Sequence, residues 1–153
     1  MFFRQGDMVA VHTLAAAALD ILRDLGRPKG LGSIVKDSPL VLPEKQREVR
    51  EIFNAAQNFF KHANRDPEET LEFRPDATPF FIFDAIELYA QVKGSSFAAG
   101  DVFRMWFVVT NPQFTLGPLR SLVDDAKRAG IDPDNFEGVR LALAHWKSRN
   151  PIA

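Results

Sequence analysis

Apolar residues recur at helical spacing along most of the chain, and no alternating run bounded by a hairpin turn is found. The first periodic stretch is "DMVAVHTLAAAALDILRDLG", in which Val11, Leu14, Ala15, Ala18, Leu22 and Leu25 fall near one face. Asp7 suits the N-cap and Gly26 the position after the last turn, so the pattern predicts a helix over 7–26. Its alanines Ala15, Ala16 and Ala18 are small enough to let a second helix approach closely. A loop with Gly30, Gly32 and Pro39 follows. Pro43, favoured at a first helical position, opens a second helix over 43–63, "PEKQREVREIFNAAQNFFKHA". Val49, Ile52, Phe53, Ala56, Phe59 and Phe60 share its apolar face, and Arg47, Glu51, Asn54, Asn58 and His62 share the other.

"NRDPEETLEFRPDA" reads as a loop with a short extended piece at Leu71–Phe73. Thr78 and Pro79 open a third helix that Gly94 ends, and a fourth runs from about 97 to 110, stopped by Asn111 and Pro112. Gly117 and Pro118 open a fifth, and Asp132 and Pro133 a sixth. "WFVV", in the fourth, is the one piece that also fits a strand. The expectation is an all-α helical bundle of five to seven helices, with 7–26 and 43–63 as a long antiparallel pair. Phe53, Phe60, Leu22 and Trp106 are expected to be largely buried.

Composition narrows the picture. A chain of 153 residues suits a single all-α domain over 1–153. The net charge of −1 argues against a strongly basic nucleic-acid binder but leaves room for a local basic patch. With no cysteine, disulfides, thiol nucleophiles and Cys-ligated zinc are excluded. Fourteen phenylalanines offer more aromatic surface than a core of this size usually takes, which points to a homodimer. No apolar run reaches membrane-span length and "MFFRQGDM" lacks a leader pattern, so no membrane and a cytoplasmic location are expected.

Few chemical motifs survive inspection. His12, His62 and His145 include no pair at metal-binding spacing; a long-range set of His12, His62 and Asp66 lacks support, and no metal or cofactor is expected. No Gly-x-Ser-x-Gly elbow exists, "GRPKGLG" lacks the Lys-Ser/Thr ending of a phosphate loop, and "NRDPEE" lacks calcium-loop spacing. What remains is the row Asn54, Asn58 and His62, stacked at intervals of four, with Arg50 and Lys61 beside it. Two mid-helix asparagines are costlier than Glu, Lys or Gln would be. An imidazole among carboxamides and cations suits phosphate binding or acid–base chemistry, and Phe59 offers a wall for a base to stack on. The plain alternative is a solvated helix face, with His62 and Lys61 complementing the helix dipole.

An Ala-rich helix, a loop and a second helix ending in "QNFFKH" resemble the HEPN superfamily over residues 7–93, leaving helices at about 97–149 beyond the likeness. The family is all-α and includes RNA-cutting toxins and defence RNases. Its hallmark is Arg, usually a polar residue, three further residues and His. Asn58 takes the polar place and His62 the histidine place, while the arginine place holds Gln57. The resemblance implies His62 and Asn58 as catalytic residues with Gln57 beside them as a binding residue; Asn54, Lys61, Arg50 and Phe59 are expected as binding residues from the row itself, and neither Arg50 nor Lys61 fits the motif. The resemblance further implies a dimer, an RNA or nucleotide ligand and an antitoxin-like protein partner. Gln57 keeps a hydrogen-bond donor but lacks the charge and the bidentate fork of arginine, so binding or weak cleavage is expected rather than vigorous nuclease activity. The competing expectations are a non-catalytic dimeric interaction module and a small-ligand sensor with a pocket between helices.

Overall fold

The computed structural model describes residues 2, 6–38, 42–62, 67–114 and 118–149, without the side chains of 114, 118–122, 136, 142–143, 145–147 and 149. Among these residues the chain is all-α, with six α-helices and no strand. They are α1 (Met8–Gly26), α2 (Gln46–Lys61), α3 (Thr78–Lys93), α4 (Ala98–Thr110), α5 (Pro118–Arg128) and α6 (Phe136–Arg149). The chain divides into two compact units, Met1–Ser95 and Ser96–Ala153.

Local chemistry sets most helix ends. The Asp7 carboxylate accepts from the backbone N–H groups of Val9 and Ala10, at 2.9 and 3.4 Å, and so caps α1. Gly94 ends α3 at φ 76°, a left-handed conformation in which a side chain would be strained. Two starts shift inward. Pro43–Lys45 forms a 3-10 turn before α2, and α6 begins at Phe136, because Asn135 rather than Asp132 caps it by accepting from Gly138 N–H at 3.0 Å. Leu71–Phe73 carries no strand pairing, and "WFVV" is helical within α4.

In the first unit the closest packing joins α1 to α3. Ala15, Ala16 and Leu19 of α1 meet Phe81, Ala85 and Leu88 of α3 in one buried cluster. The two helices run parallel: His12 bonds Thr78 near one end, and Gly26 faces Leu88 near the other. α2 lies antiparallel to α1, with Phe60 near His12 and the Arg50 end near Asp37. It touches α1 more sparsely, and its one fully buried residue is Gln57.

The alanine expectation is therefore corrected in two respects. Ala15 and Ala16 make room for α3 rather than α2, and Ala18 is exposed. At about 100° per residue, positions 15, 16 and 19 share a face from which 18 points away. Phe53, Phe60, Leu22 and Trp106, expected to be largely buried, are intermediate in burial. Phe53 and Leu22 flank the first cluster, whose centre is taken by Phe81, Leu19 and Leu88.

The second unit has its own core. Val102, Met105 and Val109 of α4 pack with Ala126 of α5 and Val139 of α6. The Trp106 indole N–H donates to the Pro133 carbonyl at 3.0 Å, which satisfies its polar edge.

Candidate functional site

The polar row on α2 separates into different environments. Asn58 and Lys61 are exposed. His62 is half-buried at the end of the helix, where its backbone N–H donates to the Phe59 carbonyl at 3.3 Å. Asn54 is half-buried, and its Oδ1 is enclosed with no hydrogen-bond partner among the described residues. The Phe59 ring packs edge-on against Phe60 with centroids 5.9 Å apart. Asp66 lies outside the described residues, as does the side chain of His145, so only His12 and His62 can be compared. No cluster of three or more His, Cys, Asp or Glu side chains suited to a metal occurs among the described residues.

Gln57 stands apart from the row. It is 2% exposed and donates through Nε2 to Asp20 Oδ2 at 2.8 Å. Its spacing explains why: 50, 53, 57 and 60 follow one another around a single helical stripe, and Phe53 and Phe60 on that stripe face inward. Asp20 also accepts from Lys36 Nζ, through Oδ1 at 2.8 Å. Lys36 is 1% exposed, and its ammonium lies 5.4 Å from the centroid of the Phe81 ring. Asp20 thus ties α1, the loop after it and α2 together.

The same loop is pinned by two further carboxylates. Asp84 of α3, fully buried, accepts from the Ser33 hydroxyl and from the backbone N–H groups of Ile34 and Val35, both at 3.0 Å. Asp37 accepts both Nε and Nη2 of Arg23, at 2.7 and 2.6 Å, and the Ser33 N–H at 3.1 Å. Arg50 donates through Nε to the Lys36 carbonyl at 3.2 Å and through Nη2 to Gln46 at 2.9 Å.

Burial and charge shift several of these groups. Burial alone would raise the carboxyl of Asp20, but hydrogen bonds from Lys36 and Gln57 and the nearby cations outweigh it and hold the pKa below the ordinary value. Burial would likewise raise the carboxyl of Asp37, but the hydrogen bonds from Arg23 and Ser33 and the charges of Arg23 and Arg50 outweigh it and hold the pKa below the ordinary value. His12 moves down, first through burial and then through the charge of Lys36, so its ring is neutral near pH 7.

Two cavities flank this network in the first unit. One, of about 500 Å³, is lined by Arg23, Arg27, Arg50 and Asp37 with Gly30, Leu31 and Gly32. It gathers three guanidinium groups against one carboxylate. Arg27 is 75% exposed and pairs with Asp24 at 2.7 Å. The other, of about 400 Å³, is apolar and lies between α2 and the 71–77 segment, with His12 in its wall. Asn58, Lys61 and His62 line neither.

Of the residues singled out from the sequence, Arg50 alone enters the cationic cavity, alongside Arg23 and Arg27, which sequence reasoning passed over. Asp20, Lys36 and Asp84 were also missed. Asp84 carried a signal, as a lone charge inside the apolar run "FFIFDAI", where a carboxylate must find partners. Lys36 carried none, since "SIVKDS" reads as any polar loop. Comparison with known protein families, curated proteins and solved structures gives no match to any of them. No described helix is long and apolar enough to cross a membrane.

Proposed function

We propose that this chain is a HEPN-like helical domain that binds single-stranded RNA, with little or no cleavage. The cavity ringed by Arg23, Arg27 and Arg50 carries this reading. Guanidinium groups meet phosphates bidentately, and glycines at 30 and 32 leave the backbone open to close approach. Arg23 is committed to Asp37, and Arg50 already donates to the Lys36 carbonyl and Gln46 and pairs with Asp37 at 3.4 Å, so phosphate contact falls first to Arg27, with Arg50 adding charge. The exposed Arg27–Asp24 pair is a weak one that a phosphate can replace.

His62 stands twelve residues beyond Arg50, about 18 Å along the helix. One phosphate cannot touch both, whereas a strand several nucleotides long reaches from the arginines to Asn58, Lys61 and His62. That favours RNA over a mononucleotide. Gln57, where the resembled family has its arginine, is occupied by Asp20 inside the fold and adds no charge beside His62. Binding is therefore favoured over cleavage. A toxin or defence setting, with an antitoxin-like partner, belongs to the same proposal.

The test is fluorescence anisotropy with a mixed-sequence single-stranded RNA at low salt. Arg27→Glu should weaken binding and flatten the salt dependence, by about 0.7 in slope for each phosphate the protein no longer neutralises. His62→Ala and Asn58→Ala should weaken it less, and any cleavage should vanish in His62→Ala. Wild-type protein that neither binds nor cuts RNA would sink the proposal.

A second reading, a dimeric interaction module, is favoured by one observation. Leu14, Ile21 and Leu25 are 60%, 61% and 56% exposed. With exposed Ala18 they form a stripe at alternating steps of four and three, the spacing of a helix–helix seam. A homodimer through α1 requires that Ile21→Glu lower the mass found by light scattering to that of one chain. A wild type already monomeric at high concentration dismisses it.

A further inference from the structure

Asp37 stands in the arginine-lined cavity as a bound anion would. Its Oδ2 accepts from Arg23 Nε at 2.7 Å and from the Ser33 backbone N–H at 3.1 Å, and its Oδ1 accepts from Arg23 Nη2 at 2.6 Å. Arg50 Nη2 lies 3.4 Å from the same Oδ1. Two guanidinium groups and one backbone N–H thus converge on a pair of oxygens that share one negative charge. A phosphodiester presents two free oxygens and one negative charge as well, and arginine forks suit both groups. Gly32 leaves space for the carboxylate: a Cβ there would lie 3.3 Å from Asp37 Cβ and 3.6 Å from its Oδ2.

The Asp37 carboxylate can leave without undoing the loop that carries it. Three carboxylates hold this loop, and of these only Asp37 lines the cavity, with its side chain 25% exposed. Asp84 is fully buried, and Asp20 holds the fully buried ammonium of Lys36. A side chain turned outward from position 37 regains water. The backbone stays where Asp84 grips Ser33, Ile34 and Val35, and the Asp37 N–H still donates to the Ser33 carbonyl at 3.0 Å. Arg23 keeps a second carboxylate behind it, with Nη1 3.6 Å from Asp20 Oδ1.

We infer that Asp37 is an internal competitor for phosphate, and that a phosphodiester of the bound strand displaces it and takes over Arg23, the Ser33 N–H and Arg50. The inference rests on the RNA reading and deepens it. Arg27 makes the first contact, and Arg23, occupied in the free protein, becomes a phosphate ligand once Asp37 turns away. One negative charge replaces another, and no covalent bond changes. Arg27 tips the exchange, because it lines the same cavity but pairs with Asp24 rather than Asp37, so the incoming phosphate gains a guanidinium that the carboxylate does not use.

The test uses the full chain with two probes: the mixed-sequence single-stranded RNA, and dimethyl phosphate, a diester with neither base nor sugar. Asp37→Asn keeps an acceptor for the Ser33 N–H. It should tighten RNA binding by about tenfold or more, as when a binding-competent form populated at about one in ten or less becomes the dominant one. Glu51→Gln removes an equal charge from an exposed pair with Arg47 and should tighten binding by less than about twofold. Adding Arg23→Gln to Asp37→Asn restores the wild-type net charge and should cancel the gain, because the fork is then missing. In the wild type, NMR signals of the Asp37 carboxyl carbon and of Arg23 Nε–H should move together as RNA is added, a readout that does not depend on any variant folding. RNA binding that leaves both signals unmoved, or that a folded Asp37→Asn variant does not tighten, overturns the inference while the RNA reading stands. If RNA fails to bind but dimethyl phosphate moves both signals, the RNA reading falls and the exchange survives. If neither probe moves them, both fall.

Discussion

Burying a lysine is costly unless its charge is met, and Lys36 meets it through Asp20 and the face of Phe81. The two partners are not equally buried: the Lys36 side chain is 0% exposed and that of Asp20 39%. This asymmetry makes a prediction. Removing the carboxylate in Asp20→Ala strands the ammonium and leaves the Gln57 amide without its acceptor. The cost should be about 3 kcal/mol, the low end for breaking a buried pair, since water can reach the vacated side. Lys36→Met keeps the volume and the packing on Phe81, and leaves Asp20 with Gln57, Arg23 and solvent. It should change stability by only about 1 kcal/mol. Urea denaturation of both variants tests this. A Lys36→Met variant as unstable as Asp20→Ala would show that the ammonium is a net source of stability rather than a charge that must be neutralised.

Among the elements, α1 presents two unlike faces. Ala15, Ala16 and Leu19 pack on α3, while Leu14, Ala18, Ile21 and Leu25 are exposed. Leucine at position 16 must push α3 away, whereas leucine at 18 enters open space. Ala16→Leu should therefore cost about 1–3 kcal/mol and Ala18→Leu less than about 0.5 kcal/mol, both read from thermal melts. Equal melting temperatures would refute the assignment of α3 to the alanine face. The helices themselves were legible from period, caps and Pro–Gly punctuation. So was the antiparallel lie of α2 against α1; that α3 rather than α2 packs most closely on α1 was not. The alanines in "TLAAAAL" indicate that something comes close, but α3 is apolar on nearly all sides and gives no sign of which face it offers. Gln57 was partly legible, because it shares a stripe with Phe53 and Phe60; its reading as a surface residue followed the polar row instead. The links that build the polar network, 20 to 36, 20 to 57 and 33 to 84, span separations at which spacing carries no information.

For the molecule as a whole, the two buried clusters are each built within one unit, the first from α1 and α3 and the second from α4, α5 and α6. Acid should not act on them alike. His12, inside the first unit, has its pKa lowered by burial and by Lys36. Its neutral form is favoured in the folded state, so the unfolded chain binds more protons once the pH drops below the ordinary histidine value of about 6.5. Stability of the first unit is then full above that pH and is lost as the pH falls toward the lowered pKa of the folded state. Asp20 and Asp37 act in the same direction but lower on the pH scale: their lowered pKa values stabilise the fold above the carboxylate range, and that support is lost only in stronger acid. Between pH 7 and 5 the expected loss therefore comes from His12. Both tryptophans, Trp106 and Trp146, belong to the second unit. Their fluorescence follows that unit, while far-UV circular dichroism follows the helices of both. On lowering the pH from 7 to 5, the fluorescence midpoint should move less than the dichroism midpoint, and His12→Phe, if it folds, should bring the two shifts together. Midpoints that fall in step in the wild type would mean that the two units unfold as one, or that His12 is not the group acid acts upon.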